Sequence, residues 1–354
     1  MNDSLARKIA DAVLYEGYML YPYRPSAIKN RQRWSFGILY PPSYPEVSSG
    51  TERSALHSEC LIETVDGHAN VRLQIQLRFL HLRARQVARA PDFRGVNGQM
   101  LEHQPFEAVP SLMVDGELIE SWDEGVERAV LFNVPSLTQE TRTANFRFAA
   151  SSEAELLRDA TGGMVGIVSR TQHCVCGSIT VRATVIREGV LKLTVDVSNE
   201  DSENRRNYDR DSALLRSLVS AHTILSIERG EFVSLLDPPE ELRDAVSACV
   251  NTGNFPVLVG DAPERKMMLC SPIVLYDYPQ IAPESANDFY DGTEMDEMLT
   301  LRIMTLTDEE KNEMRRSDPR AGNLLQITEE NARQQLTKTH GTFRSMDERR
   351  NGKL

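Results

Sequence analysis

Residues 179–197, ITVRATVIREGVLKLTVDV, are the stretch that decides the fold class. Apolar residues alternate on both sides of the dipeptide Glu188-Gly189: Ile179, Val181, Ala183 and Val185 before it, and Leu191, Leu193, Val195 and Val197 after it. A period of two is typical of strands with one buried face, and a short glycine-containing connection predicts a hairpin. The stretch therefore predicts two antiparallel strands.

Three further dipeptides predict hairpins elsewhere in the chain. Asp66-Gly67 precedes a long alternating run over residues 71–79, and Arg229-Gly230 separates residues 222–228 from 232–236. Asp115-Gly116 lies between Leu112/Val114 and Leu118. Repeated hairpins with few helices between them indicate an antiparallel β-sandwich or barrel core. The fold class predicted is mainly β (α+β), with a helical C-terminal part.

Helical patterns lie at both ends of the chain. Residues 3–15 form an amphipathic repeat, Thr307 and Glu310 form a capping box, and Asp318-Pro319 begins a further helix to about residue 338. Between them we predict an exposed loop over 199–211, helices over 214–219 and 240–249, and short strands over 256–259 and 267–270. The predicted regions are an N-terminal helix and aromatic-basic segment (1–50), an antiparallel β domain (51–236), a mixed α/β region ending in helices (237–340) and a mobile tail (341–354).

Composition excludes several classes of protein. The chain has 354 residues, 40% of them hydrophobic, and a net charge of −12, so it can bury a substantial core but has no general basic face for nucleic acid or anionic lipid. No apolar run is long enough to span a bilayer, and the N-terminus does not resemble a signal peptide. Five scattered cysteines favour a reducing cytoplasm over a disulfide framework.

Residues 15–44 combine aromatic and basic side chains. The candidate contact residues in this segment are Tyr21, Arg24, Arg31, Arg33 and Trp34. Such residues anchor protein partners at small entropic cost, and the acidic balance of the chain favours a protein over a nucleic acid. The alternative is that the aromatic side chains are buried in the core.

The acidic loop 284–297 carries no Lys or Arg. It includes Asp288, Asp291 and Glu294, which are candidate partner contacts or ligands for a hard cation. A calcium-loop register fails, because Phe289 and Met298 fall where oxygen ligands are required. Helix capping by Thr293 and Asp296 explains the acidic residues as well.

The tetrapeptide His173-Cys174-Val175-Cys176 is the sharpest local pattern. On a strand Cys174 and Cys176 point to the same side, where they could bind a soft metal or form a reactive pair, with His222 as a base. A closed zinc site needs four ligands and the other cysteines stand alone, so burial as small core residues is the competing interpretation. His81 falls on the same face of the long alternating strand as its apolar residues, so it is expected to face the core or a partner.

The sequence contains none of the common nucleotide-binding, metalloprotease or nucleophile-elbow motifs. Nucleotide-driven chemistry and the common hydrolases are therefore disfavoured. No cofactor is predicted.

Three phrases carry a family resemblance: LYPYRPSAIKNRQRWSFGILYP (20–41), SLLDPP (234–239) and SPIVLYDYPQIAPESANDFYDGTEMDEMLTLRIMTLTDEEK (271–311). They resemble an uncharacterised family associated with gene clusters of actinobacterial-type, high-affinity nickel–iron hydrogenases. The chain lacks the paired Cys-x-x-Cys motifs of the hydrogenase subunits themselves. The resemblance implies a non-catalytic accessory role in assembly, maturation or scaffolding.

Three hypotheses of function follow. The leading one is an accessory protein that binds a hydrogenase subunit or maturation protein, with an oligomer possible. The second is a metal- or thiol-dependent enzyme with its site at His173, Cys174 and Cys176 or in the acidic loop. The third is a β-sandwich that binds a small ligand.

Overall fold

The structure is a computed structural model that describes residues 3–15, 36–64, 70–91, 106–201, 209–280, 305–317, 325–326 and 329. The chain forms two compact units, Met1–Tyr18 with Trp34–Pro279 and Met19–Arg33 with Gln280–Leu354. The strands predicted over 256–259 and 267–270, outside the predicted β domain, belong to the first unit.

Most described elements are antiparallel strands. They are β1 (Ala55–Glu63), β2 (Arg72–Arg89), β3 (Glu107–Val109), β4 (Ser111–Val114), β5 (Glu117–Glu120), β6 (Trp122–Val134), β7 (Arg142–Phe148), β8 (Ser151–Arg158), β9 (Met164–Gln172), β10 (Val175–Arg187), β11 (Val190–Asn199), β12 (Val219–Glu228), β13 (Glu231–Phe232), β14 (Phe255–Leu258) and β15 (Met267–Ser271). The helices are α1 (Asp3–Tyr15), α2 (Pro45–Ser48), α3 (Arg210–Leu214), α4 (Arg243–Ser247) and α5 (Asp308–Ser317), with a 3-10 turn at Glu240–Leu242. The predicted mainly β class is confirmed.

Two large sheets pack face to face. The five-stranded sheet has the order β13-β1-β11-β10-β7, and the eight-stranded sheet has the path β14-β15-β12-β2-β9-β8, with β3 and β6 also paired to β2. One apolar cluster takes side chains from both sheets, among them Leu193, Val195, Ile75 and Leu77. Burying the apolar face of each sheet against the other is what stabilises this arrangement.

The quoted hairpin forms as predicted. β10 pairs with β11 so that Arg187 lies opposite Val190, which leaves Glu188-Gly189 as a two-residue turn. The Asp115-Gly116 turn is confirmed as well, since Val114 pairs with Glu117. Asp115 and Gly116 both have positive φ, as a turn matched to the twist of the strands requires.

Two other predicted hairpins are wrong. β1 lies in the five-stranded sheet and β2 in the eight-stranded sheet, so the two strands do not pair as a hairpin. The turn at Arg229-Gly230 also changes sheet, because β12 pairs with β2 and β15 whereas β13 pairs with β1. The predicted helix over 214–219 is shorter and earlier, as α3, and residue 219 already begins β12.

The predicted exposed loop over 199–211 is buried where it begins. Asn199 is 2% exposed and donates to the carbonyl oxygens of Leu39 and Arg216, at 2.9 Å each. Its own side-chain oxygen accepts from the backbone of Asp201 at 3.0 Å. One buried amide thus holds three chain segments together.

The helices at the two ends follow their sequence patterns. α1 buries Ala6, Ile9 and Val13, and its Asp11 accepts from Arg78 on β2 at 2.5 Å. In the second unit, the capping box before α5 is reciprocal: Thr307 N donates to the Glu310 carboxylate, and Glu310 N donates to the Thr307 hydroxyl. The helix predicted from Asp318 and the tail 341–354 lie outside the described residues, except for positions 325, 326 and 329.

Candidate functional site

All eight predicted contact residues fall outside the described part of the chain. They are Tyr21, Arg24, Arg31, Arg33 and Trp34 in the aromatic-basic segment, and Asp288, Asp291 and Glu294 in the acidic loop. Their roles remain predictions.

The His173-Cys174-Val175-Cys176 segment lies where β10 begins. Nδ1 of His173 accepts from Nη2 of Arg216 at 3.3 Å, and Arg216 forms a buried ion pair with Asp201 at 3.3 Å. The Cys176 thiol donates to the backbone oxygen of Glu200 at 3.3 Å. A fixed guanidinium against His173 occupies its lone pair and repels a cation, so this geometry opposes metal binding.

The surroundings of most thiols favour the protonated form. Burial raises the pKa of Cys176 and raises the pKa of Cys270 to about 11. Burial first and then the Glu59 carboxylate raise the pKa of Cys249 to about 11, and Cys60, fully buried, also has a raised pKa. Because the thiolate is the nucleophile, these four cysteines are poorly suited to covalent catalysis.

The proposed pairing of Cys176 with His222 is wrong. Cys176 lies on the outer face of the five-stranded sheet, since its neighbours Val175 and Ile179 point into the core. His222 lies opposite Arg78 on the outer face of the other sheet, fully buried. The two side chains are therefore on opposite sides of the sandwich. His81, in contrast, is buried, as its position in the alternating pattern of β2 predicted.

Sequence reasoning missed a polar cluster on the outer face of the five-stranded sheet. His57 Nδ1 lies 2.6 Å from Asp196 Oδ1, and its Nε2 lies 3.7 Å from Glu59. Glu59, whose side chain is 7% exposed, also pairs with Lys192 at 2.8 Å and accepts from Val250 N. Both ring nitrogens of His57 face carboxylates, so neither is free to act on a substrate. The cluster instead fastens the 250–254 segment to the sheet.

The only earlier hint of this cluster was the alternation of His57 and Glu59 with core residues in β1, a pattern equally typical of a solvated strand face. Among the described residues, no three His, Cys, Asp or Glu side chains are grouped so that they could hold a metal ion.

Two of the phrases that carry the family resemblance meet at Asp277. The Ser234 hydroxyl donates to Oδ2 of Asp277 at 2.5 Å, and Oδ1 accepts from the backbone of Leu258 at 2.7 Å. Ser234 Oγ also accepts from Leu236 N and Asp237 N, which closes the loop after β13. One carboxylate therefore joins the 234–239 loop, β14 and the chain that follows β15.

The 20–41 phrase contacts the 271–311 phrase through Gly37. Gly37 has a φ of +62°, and a Cβ at this position would lie 2.8 Å from Cγ of Pro272. Its carbonyl oxygen accepts from Ala221 N at 2.8 Å. Only glycine combines this backbone conformation with so close an approach to Pro272.

Exposed apolar side chains lie close in sequence to Ser234 and Asp277. Leu236 is 56% exposed, Val274 73% and Tyr276 76%, and each lies within three residues of one of the two bonded residues. We call these three side chains the Asp277 surface. Large apolar groups held outward on a fixed backbone are typical of a protein contact site.

The described strands form an antiparallel β-sandwich, and the Asp277 surface presents three exposed apolar side chains. A scan against protein-family models finds no match to this sequence, and a search of curated proteins finds none either. In the described part of the chain, no helix is both long enough and apolar enough to cross a membrane.

Proposed function

We propose that this protein is a non-catalytic accessory factor that acts in the cytoplasm with a nickel–iron hydrogenase, in its assembly, maturation or scaffolding. Its partner is a hydrogenase subunit or a maturation protein, bound through the Asp277 surface. The observation that carries the proposal is a set of contacts between described residues of the three resembling phrases. Two of them are joined by the Ser234–Asp277 bond, and Gly37 of the third packs on Pro272.

The chemistry of the surface supports a protein partner. Tyr276 has an apolar ring and a polar tip, and it loses little side-chain entropy when it is buried. Val274 and Leu236 add apolar area beside it. The hydrogen bonds of Asp277 fix the backbone under these side chains, which lowers the entropic cost of binding.

The second hypothesis, a thiol- or metal-dependent enzyme at His173, Cys174 and Cys176, has weaker support. Cys174 is partly exposed, but the pKa of Cys176 is raised and Arg216 lies against His173. The acidic loop, the other half of that hypothesis, lies outside the described residues.

A tagged pull-down from the native host tests the proposal, with bound proteins identified by mass spectrometry. We expect hydrogenase subunits or maturation proteins to be recovered by the wild-type protein and lost with Tyr276→Ala. Recovery of the same proteins by both would overturn the role of the Asp277 surface. Recovery of no such protein by the wild type would overturn the accessory role itself.

A further inference from the structure

The inner face of β2 changes character along its length. Leu77 and Phe79 belong to the main apolar cluster, and Val87, near the other end, belongs to a second cluster with Leu112 and Val168. Between them the same face carries His81, Arg83 and Arg85, because alternate residues of a strand share a face. A charged band therefore separates two apolar cores.

Neighbouring strands add to this band. Arg83 lies opposite Glu124 on β6 and Gln172 on β9, and Arg85 lies opposite Arg170 on β9. Arg128 lies on the same face of β6, opposite Phe79. We call the four arginines, Arg83, Arg85, Arg128 and Arg170, the arginine belt.

Glu124 is the carboxylate that the belt shares. Arg83 donates to Oε2 of Glu124 at 2.6 and 2.9 Å, and Arg170 donates to Oε1 at 3.3 Å. Nη1 of Arg85 is 4.0 Å from Oε1, too far for a hydrogen bond. Arg83 and Arg170 thus donate to the two oxygens of Glu124, and Arg85 does not form a hydrogen bond with it.

Other carboxylates of the described residues lie around the belt. Glu155 accepts from Arg170 at 3.2 Å, and its side chain is 64% exposed. Glu153, opposite Arg170 on β8, is exposed, and Glu120 contributes to the electrostatics of Arg85. An ion pair as exposed as that between Glu155 and Arg170 is screened by solvent and compensates weakly.

Arg85 and Arg128 have unused hydrogen-bonding capacity. Nε of each is buried without a hydrogen-bond partner among the described residues, and the side chain of Arg85 is only 19% exposed. Burial, followed by the neighbouring charge of Arg170, lowers the pKa of Arg85. Burial and Arg83 lower the pKa of Arg128 in the same way. At Arg85 the carboxylates of Glu124, Glu155 and Glu120 act in the opposite direction, so burial and Arg170 outweigh them.

The belt is held in place before any ligand arrives. Arg128 stacks on the Phe148 ring at 4.9 Å and donates to Gln172 at 3.0 Å, and Arg83 is fixed by its two bonds to Glu124. Planar guanidinium groups in fixed positions are suited to two-point recognition of carboxylate or phosphate oxygens.

We propose that the arginine belt binds an oxyanion, a carboxylate or a phosphate group, which Arg85 and its neighbours Arg83 and Arg170 hold together. The anion supplies acceptors that Glu124 alone does not provide. This site is on the β2–β6–β9 face, and the proposal is independent of the Asp277 surface and of the hydrogenase hypothesis.

Calorimetric titration and thermal melting with inorganic phosphate and with succinate test the proposal, in sodium chloride of matched ionic strength. We expect at least one anion to bind and to raise the melting temperature above the chloride control. Arg85→Gln should weaken binding at least about tenfold, which is about 1.4 kcal/mol. Arg72→Gln, at an exposed ion pair with Glu228, is the matched control and should keep wild-type affinity.

Glu124→Gln provides a test of opposite sign. Removing the shared carboxylate frees Arg83 and Arg170, so anion affinity should rise although the anion-free protein loses ion pairs.

A response to phosphate alone assigns the site to phosphate esters, and a response to succinate alone assigns it to carboxylates. No binding beyond chloride, or equal binding by wild type, Arg85→Gln and Glu124→Gln, overturns the proposal.

Discussion

Ser234 donates a 2.5 Å hydrogen bond to Asp277, 43 positions further along the chain. The same hydroxyl oxygen accepts from Leu236 N and Asp237 N, and the other carboxylate oxygen accepts from Leu258 N. Ser234 is 9% exposed, so these bonds are largely shielded from water. This one pair therefore sets the backbone that carries the Asp277 surface.

Ser234→Ala should destabilise the fold, because it leaves two backbone amides and one carboxylate oxygen without their partner. Polar groups left unsatisfied in this way cost about 1–3 kcal/mol. Urea unfolding followed by circular dichroism measures the loss. Ser49→Ala is the control, since Ser49 makes its hydrogen bonds at an exposed site and should cost less than about 0.5 kcal/mol. Equal losses in both variants would contradict the importance of the Ser234–Asp277 bond.

The sequence predicted the elements better than their pairing. The turn at Glu188-Gly189 is local, so alternation on both sides of it was enough to predict β10 and β11. Alternation shows that a strand has one buried face, but it does not show in which sheet the strand lies. β1 and β2 both bury alternate residues in the same core from opposite sheets, and the sequence could not distinguish this from a hairpin.

The candidate sites were harder to predict because they depend on contacts between distant segments. Ser234 and Asp277 carry no motif that links them. Arg83 and Arg85 fall on the same face of β2 as its alternating apolar residues, but they are charged. In the sequence this pattern predicts that the buried part of the strand ends before them. Only the register of β2 with β6 and β9 brings them to Glu124 and Arg170.

The buried histidines should make the protein acid-sensitive. Burial is the main cause that lowers the pKa of both His81 and His222 to about 4; Arg128 and His173 lower it further at His81, and Arg78 at His222. The backbone of His173 and the carbonyl of Ser220 act in the opposite direction. Because an unfolded histidine titrates near pH 6.5, the unfolded state binds more protons between about pH 6.5 and pH 4.

The stability that these neutral histidines contribute is therefore fully present above about pH 6.5. It is lost as the pH falls towards 4. Lowering the pH from 7 to 5 should reduce the free energy of unfolding by about 2 kcal/mol for each histidine. Urea unfolding of wild type, His81→Phe and His222→Asn at the two pH values measures it. Each variant should show a smaller drop than the wild type, and identical drops in all three proteins would show that other groups dominate.

Asn199→Ala should be strongly destabilising although it removes only an amide. The backbone oxygens of Leu39 and Arg216 and the amide of Asp201 would lose their partner in a buried site. We expect a loss of about 2–4 kcal/mol, since several unsatisfied groups each contribute. Asn133→Ala is the matched control, because Asn133 bonds Gln74 at an exposed site. Thermal unfolding of the two variants compares them directly; a smaller loss for Asn199→Ala would contradict this account.

Cysteine reactivity separates the accessory and thiol-enzyme hypotheses. Cys60 and Cys270 should react with iodoacetamide only on unfolding, because they are about 1% exposed. Alkylation of Cys249 should accelerate about tenfold per pH unit towards its pKa of about 11. Peptide mass spectrometry after timed alkylation at several pH values gives each rate. Rapid labelling of Cys176 at neutral pH would contradict its raised pKa and favour a catalytic thiol.

The Asp277 surface should be needed for partner binding and not for folding. Tyr276 is 76% exposed, so Tyr276→Ala should leave the circular dichroism spectrum unchanged and the unfolding free energy within about 0.5 kcal/mol. If Tyr276 anchors the interface, its truncation should cost about 2 kcal/mol of binding energy, roughly a thirtyfold loss of affinity. Titration calorimetry with the protein recovered in the pull-down measures this loss.

Leu156→Ser is the control for the Asp277 surface, because Leu156 is 50% exposed on β8 and lies outside that surface. It should bind the partner as tightly as the wild type. Val274→Ser, within the surface, should weaken binding in the same direction as Tyr276→Ala but less, since it removes less apolar area. If Leu156→Ser weakens binding and Tyr276→Ala does not, the contact lies on the β8 side of the molecule and the assignment to the Asp277 surface is wrong.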